Sequence, residues 1–168
     1  MNKTVRWITR TALLLAIAFL FQNLRLPAPY GQVITGSMVN AVLVLAVTVV
    51  DLWSGMVIGT LTPWLALVTG TMGLPFMVPF IIIANLTLVI TYGLLRRHSR
   101  FFAGVTGSLA KYLFFILTTQ LLLGMIGKTL PPPAIPMFGI TQLGTALIGT
   151  FLAFIIADTL QPYLNRSS

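Results

Sequence analysis

Lys111 is the residue of this 168-residue chain whose position most restricts its chemistry, because it is the one charged residue in the run from Ala103 to Gly127. About nine residues into a predicted helix, it lies roughly 14 Å from the helix end, near the centre of a bilayer. An intramembrane lysine is costly and normally faces the interior of a helix bundle. We therefore predict that Lys111 contacts a ligand. A buried structural pair with Asp158 is the alternative that the residues leave open.

Polar residues on neighbouring predicted helices are candidates to surround Lys111. Asn85 lies about ten residues from the outer end of its helix, at a similar depth, so the two side chains can meet. The same predicted helix as Lys111 carries a small and polar stripe with three- and four-residue spacing, whereas Gln120 falls on its opposite side. The stripe consists of Gly104, Gly107, Lys111, Phe115 and Thr118, and other candidates are Asn40, Trp64, Thr141, Gln142 and Thr145. For each of these candidates alone, a hydrogen bond between helices is the commoner role.

The chain has almost no residues that do catalysis. It contains no cysteine, no glutamate, one histidine at His98 and two aspartates at Asp51 and Asp158. We predict that the aspartates hold turns or pair with basic neighbours, that there is no catalytic site or metal site, and that no cofactor binds. Gly127-Lys128-Thr129 ends like a phosphate-binding loop but lacks the required earlier glycine. Active transport would therefore need an energised partner or an ion gradient.

Composition assigns the chain to the membrane proteins. Hydrophobic residues make up 57% and charged residues 7%, and the mean hydropathy is +0.99. Long uncharged runs without two-residue alternation favour helices over a barrel. The net charge is +8, and the basic residues other than Lys111 lie at the ends of these runs, which indicates contact with lipid headgroups and not with nucleic acid.

The hydrophobic runs predict an all-α membrane protein, a six-transmembrane-helix bundle in a single integral membrane domain over residues 1–168. The predicted helices cover residues 7–23, 37–52, 55–72, 75–95, 102–124 and 137–160. Prolines predict loops from Arg25 to Gly36 and from Lys128 to Pro133. The first run resembles a signal peptide but lacks a small-residue cleavage site, so we expect it to be retained.

Basic residues predict the orientation of the bundle. With six spans, seven basic residues fall on the side of both termini, and only Arg25 and Lys128 fall on the other. The seven are Lys3, Arg6, Arg10, Arg96, Arg97, Arg100 and Arg166. Positive residues favour the cytoplasmic side, so we predict cytoplasmic N- and C-termini.

Two small-residue spacings predict close helix packing. Ala12 and Ala16 are four residues apart in the first helix, and Gly55 and Gly59 are four apart in the third. Such pairs most often join helices of one chain. On an outlying first helix, the alanine pair can instead contact another subunit.

Three segments carry a resemblance to a known family. They are ITGSMVNA from Ile34 to Ala41, GMVIGTLTP from Gly55 to Pro63, and PFIIIAN from Pro79 to Asn85. With the six-helix layout, they make the chain resemble the substrate-binding S components of energy-coupling-factor (ECF) transporters. The similarity is best over the first four helices and reaches the last two mainly through layout.

The resemblance implies a multi-pass protein of a prokaryotic plasma membrane that binds a vitamin or related micronutrient, with a transmembrane T component and two ATPase subunits as partners. It implies a T-component contact at Ala12 and Ala16. It also implies a ligand site lined by Asn85, Lys111, Thr118 and Gln142, with Tyr30 and Gln32 on a lid loop. Two other classes remain open: a stand-alone transporter or channel that uses Lys111 and Asp158 as a charge relay, and a scaffold subunit that binds no solute.

Overall fold

Seven α-helices and one short 3-10 helix form the regular structure of the described residues, which include no β-strand. The computed structural model describes residues 2–24, 26–27, 30–118, 123–125, 127, 132, 135 and 138–165. The helices are α1 (Lys3–Gln22), α2 (Tyr30–Val49), α3 (Leu52–Val68), the 3-10 helix (Pro75–Met77), α4 (Val78–Leu95), α5 (Arg100–Leu117), α6 (Leu123–Met125) and α7 (Ile140–Asn165).

Polar side chains determine where three of the helices begin. Asn2 accepts a hydrogen bond from the backbone N–H of Thr4 at 3.3 Å, so α1 starts four residues before the predicted Trp7. Asp51 caps α3 through the N–H of Ser54 at 2.7 Å, and Ser99 caps α5. Each cap supplies an acceptor for an N–H group that has no partner inside the helix.

The start of α2 corrects the predicted loop between Arg25 and Gly36. The helix begins at Tyr30, seven residues before the predicted start, and Gly31 donates its N–H to the carbonyl oxygen of Pro27 at 2.9 Å. Prolines disrupt a helix interior but are compatible with its first turn. Asn40 therefore lies in the middle of α2 and not near its outer end, and Tyr30 and Gln32 lie on a helix and not on a loop. Arg25 lies outside the described residues.

Two prolines lie inside helices. Pro63 is within α3, which is continuous to Val68, and Pro162 is within α7, which continues past the predicted end at residue 160. A proline removes one backbone donor without ending the helix when the rest of the turn is supported. The predicted end of the fifth span includes residues 119–122, and the predicted start of the last is residue 137. These residues lie outside the described part of the chain.

Among the described residues, five helical segments are long and apolar enough to cross a membrane. They are Lys3–Gln22, Tyr30–Val49, Pro75–Leu95, Arg100–Leu117 and Ile140–Leu160. At 17 residues, α3 is apolar but shorter. Large apolar side chains such as Leu13, Val68 and Leu113 are exposed on the outside of the bundle, as contact with lipid requires. A sixth crossing and the cytoplasmic termini remain predictions.

Polar contacts hold together the end of the bundle that contains the α2–α3 and α4–α5 turns. The indole Nε1 of Trp7 donates to Asp51 Oδ2 at 2.9 Å, and Arg100 pairs with Asp158 at 2.7 Å. Arg96 donates to the carbonyl oxygen of Val47. Both aspartates thus hold helix ends, which confirms the structural role predicted for them.

Glycines allow the helices to pack closely. A Cβ atom at Gly55 would meet side chains of Val47 on α2 and Val89 on α4, and one at Gly59 would meet Asn85. The Gly55/Gly59 spacing therefore joins helices of the same chain, as predicted. On α5, Gly104 faces α7 and Gly107 faces α4, and the predicted stripe is buried throughout.

Candidate functional site

Lys111 is buried in the middle of the bundle, with 3% of its side chain exposed. Its Nζ donates to Asn40 Oδ1 at 2.7 Å and to Asn85 Oδ1 at 2.9 Å. The predicted contact between Lys111 and Asn85 is therefore confirmed. Because an ammonium group can only donate, it orients both amides with their oxygens toward it and their NH2 groups away. This amide–lysine–amide cluster joins α2, α4 and α5.

A proline on α3 explains how Asn85 is held. Pro63 has no N–H, so it cannot bond the carbonyl oxygen of Gly59 four residues earlier, as a helix residue normally does. The NH2 group of Asn85 donates to that carbonyl at 3.2 Å. The carbonyl oxygen of Gly59, left free in α3, thus holds the NH2 group of Asn85 and directs Asn85 Oδ1 toward Lys111.

Asn40 is held from the other side by α7. Its Nδ2 donates to Thr145 Oγ1 at 3.4 Å, and Thr145 in turn donates to the carbonyl oxygen of Gln142 at 3.2 Å. The approach of α7 to α2 is close here, since a Cβ atom at Gly149 would lie 2.7 Å from Asn40 Cβ. Five helices, α2, α3, α4, α5 and α7, therefore meet around one lysine.

A cavity of about 560 Å³ ends on this cluster. It opens at the bundle end opposite to the Trp7–Asp51 and Arg100–Asp158 contacts, between the end of α1, the start of α2, the α3–α4 connection and the start of α7. Its polar lining includes Gln22, Gln32, Thr35, Asn40, Thr62, Thr71, Asn85, Lys111, Thr141, Gln142 and Thr145, and its apolar lining includes Leu24, Leu26, Val39, Ala66, Met72, Leu74, Ile81 and Phe138. This volume and mixed lining suit a small organic molecule.

The alternative pairing of Lys111 with Asp158 is wrong. Asp158 bonds Arg100, which begins α5, and Lys111 lies eleven residues further along the same helix, about 16 Å away. Asp51 is occupied by Trp7 and Ser54 at the same end as Asp158. No carboxylate of the chain's two aspartates reaches the buried lysine, so a Lys111–Asp158 charge relay has no structural basis.

The predicted site residues divide into two groups. Asn40, Asn85, Lys111, Gln32 and Gln142 all line the cavity, whereas Thr118, Tyr30 and Trp64 do not. Tyr30 is 74% exposed and Trp64 is 51% exposed.

Packing and helical phase explain two of the three residues outside the cavity, Trp64 and Thr118. Trp64 follows Pro63 by one residue, a rotation of about 100° that turns it away from the face of Thr62, Pro63 and Ala66. Thr118 is buried, but at its end of α5 Phe115 packs on Phe138 at 5.7 Å between ring centroids, and it is Phe138 that faces the cavity.

Several cavity residues were not identified from the sequence. On α2, these are Thr35, Gly36 and Val39, which share one helix face, at three- and four-residue spacing, with the predicted Gln32 and Asn40. Assigning residues 25–36 to a loop concealed this stripe. No residue pattern around Gln22, the last residue of α1, predicted that it lines the cavity, because its place there follows from how α1 packs.

The chain matches the family model of the ECF transporter substrate-specific component over residues 6–160, nearly its whole length. This chain belongs to that family. The S-component resemblance carried by the ITGSMVNA, GMVIGTLTP and PFIIIAN segments is thereby confirmed. No curated protein and no solved structure matches the chain.

Membership in the ECF substrate-specific components indicates the kind of subunit in which this cavity lies. The family comprises specificity subunits of membrane transporters and not catalytic subunits, and it implies association with a T component and ATPases. A polar cavity ending on a buried lysine is the arrangement that a specificity subunit needs. In this S component, the polar atoms are contributed by helices and are fixed by contacts between them.

Replacing Pro63 with alanine is expected to weaken ligand binding about 3- to 10-fold, the effect of disturbing one buried hydrogen bond. The restored N–H would compete with Asn85 for the carbonyl oxygen of Gly59 and loosen Asn85 against Lys111. The measurement is the affinity of the purified S component for a compound that the wild-type protein retains from a cell extract. Pro79→Ala is the matched control, since Pro79 is exposed at the first turn of α4 and does not line the cavity. Equal affinities of the two variants would contradict this role of Pro63.

Proposed function

We propose that this S component captures a vitamin or related micronutrient on the outer side of a prokaryotic plasma membrane. It then delivers this cargo within a complex of a transmembrane T component and two ATP-hydrolysing subunits. The observation that carries the proposal is the cavity of about 560 Å³ that ends on Lys111, Asn40 and Asn85. The cavity provides a binding place for one small molecule. The sequence of the chain has no complete phosphate-binding loop for ATP.

The direction of capture is supported by the distribution of charge. The cavity opens at the end formed by the α1–α2 and α3–α4 connections. Most basic residues lie at the opposite end, on the start of α1 and in the α4–α5 turn. The positive-inside bias therefore supports an outward-facing cavity mouth and a cytoplasmic ion-paired end.

The partner-facing surface is supported by the exposed face of α1. Ala12 and Ala16 are exposed, and with Leu15, Phe19 and Leu65 they line a shallow groove of about 260 Å³ between α1 and α3. In contrast, Thr11, Leu14 and Ala18 face inward. The alanine pair is therefore available to another helix, and we assign the groove to the T component.

The function is tested by purifying the tagged S component from cells that also express the T component and ATPases of its source. We expect both ATPases and the T component to co-purify. Proteoliposomes that contain the complex should accumulate the bound compound only with ATP on the ATPase side. If no ATPase co-purifies and no small molecule is released from the washed protein, the proposed function is wrong.

Enlarging Ala12 and Ala16 together to leucine is expected to abolish ATP-dependent uptake and co-purification of the T component. Ligand affinity should remain within about twofold, because the groove lies outside the cavity. Two bulky side chains would prevent the close helix approach that small residues allow. Leu13→Phe is the control, since Leu13 is 61% exposed on the same helix but outside the groove. Loss of ligand binding in the double variant would instead indicate internal packing.

A further inference from the structure

The cavity contains an uncompensated cation. Lys111 is the one basic side chain among its described lining residues, and that lining contains no acidic residue. Asp51 and Asp158, the only acids in the sequence, are engaged at the opposite end of the bundle. The neighbours of Nζ are amide oxygens, which solvate the ammonium group but do not neutralise it. A bound group with one negative charge would complete the site.

The deep end of the cavity, at Lys111 and Asn40, also has more hydrogen-bond donors than acceptors. Nζ carries three hydrogens, and two of them are used by Asn40 and Asn85. The NH2 group of Asn40 has two hydrogens and bonds Thr145 Oγ1 at a long 3.4 Å. Donors around a single cation match the two acceptor oxygens of a carboxylate. A second negative charge would have no cation of the described lining to face, and an amine would be repelled.

At the mouth of the cavity, a buried acceptor lacks a hydrogen-bond donor among the described residues, whereas the end near Lys111 has donors in excess. The side-chain oxygen Oε1 of Gln22 is buried and has no hydrogen-bond partner among the described residues, although Gln22 lines the cavity. A buried acceptor without a partner costs free energy until a donor reaches it. Gln22 ends α1 at the mouth, whereas Asn40 lies ten residues, about 15 Å, along α2 from Tyr30. The acceptor and the lysine therefore lie at different depths.

We infer that the cavity selects a small organic monocarboxylate that carries a hydroxyl or N–H donor at the end distant from its carboxylate. The carboxylate binds Lys111 at the deep end, the donor binds Gln22 Oε1 at the mouth, and the body lies against the apolar lining, which includes Leu74, Ile81 and Phe138. This inference rests on the proposed function, since it names the chemical class of the captured molecule. It also assigns Gln22 as a specificity residue at the end of the helix that carries Ala12 and Ala16.

The experiment uses the full-length S component in nanodiscs, and the probe is a small-molecule extract of cells. The protein is equilibrated with the extract and washed, and the retained compounds are identified by mass spectrometry against empty nanodiscs. We expect an enriched compound with one carboxylate and a distal O–H or N–H. Its primary amide and its amine analogue should bind wild type at least about 30-fold more weakly, as expected for losing a buried charge pair.

The Gln22 contact is tested by a double-mutant cycle that combines a protein change with a ligand change. Methylating the distal donor of the enriched compound should weaken its binding to wild type about 3- to 10-fold, and Gln22→Met should do the same for the unmodified compound. The two changes together should weaken binding no more than either alone. Leu20→Met is the matched control, because Leu20 is exposed on the same turn of α1 outside the cavity.

The outcomes separate the inference from the function on which it rests. An enriched cation, neutral molecule or dianion would overturn the monocarboxylate class but leave the proposed function standing. Additive losses in the cycle would overturn the assignment of Gln22. If wild type enriches no compound above empty nanodiscs, the proposed function itself fails. The charge comparison uses wild-type protein, so it holds even if a Lys111 variant does not fold.

Discussion

Replacing Lys111 with methionine is expected to reduce ligand affinity at least about 30-fold and to abolish uptake by the complete transporter. Removing one partner of a buried, hydrogen-bonded charge pair costs about 2–5 kcal/mol. Methionine retains most of the side-chain volume but donates no hydrogen bond, so Asn40 Oδ1 and Asn85 Oδ1 also lose their shared partner. Titration of the purified variant with the compound that co-purifies with wild type measures the effect.

The Lys111 variant needs a control for folding and for general loss of charge. Lys3→Met removes an exposed lysine at the opposite end of the bundle and should bind like wild type. A symmetric size-exclusion peak would show that Lys111→Met is folded. If that folded variant bound with unchanged affinity, Lys111 would be a structural residue and not a ligand contact.

Replacing Gly149 with alanine is expected to cause the largest loss of stability of the single substitutions considered. The added Cβ would lie 2.5 Å from the carbonyl oxygen of Ser37 and 2.8 Å from the backbone nitrogen of Ala41. These are backbone atoms, so α7 must move away from α2 to relieve the overlap. Overpacking of this kind costs about 1–3 kcal/mol. We expect a lower midpoint of thermal unfolding and weaker ligand binding, because the shift also moves Thr145 from Asn40.

Gly144 provides a matched control on the same helix. A Cβ atom there would meet nothing within 4 Å. Alanine has a higher helix propensity than glycine by about 1 kcal/mol, so Gly144→Ala should leave stability unchanged or raise it slightly. Equal unfolding midpoints for the two variants would show that the α2–α7 contact at Gly149 is not tight.

Features that depend on solvent and on local spacing were predictable from the sequence. The all-helical membrane class follows from 57% hydrophobic and 7% charged residues, because the bilayer forces backbone groups to bond within helices. The interior face of α5 follows from the spacing of Gly104, Gly107 and Lys111. The contact of Lys111 with Asn85 follows from equal depth, since depth along a helix is simple arithmetic.

Features that depend on the partners of a backbone group were mispredicted. Prolines near residue 30 were interpreted as a loop, but they precede a helix start, and the prediction did not show that Asn85 bonds the carbonyl oxygen that Pro63 leaves free in α3. The effect of a proline depends on whether another donor bonds the backbone carbonyl oxygen that the proline leaves without a partner. That donor lies 26 residues away in the chain, beyond the reach of local pattern.

The composition and spacing of residues established a membrane bundle with a buried lysine and almost no acids, because those properties depend on the solvent and on helix geometry. Packing determined which of the other polar residues reach the cavity. Gln22 and Asn40 reach it, whereas Thr118 and Trp64 do not, since a residue's neighbours across a bundle depend on how helices rotate and approach. The glycines at positions 36, 59 and 149 set those approaches and so bring five helices close enough to hold one lysine.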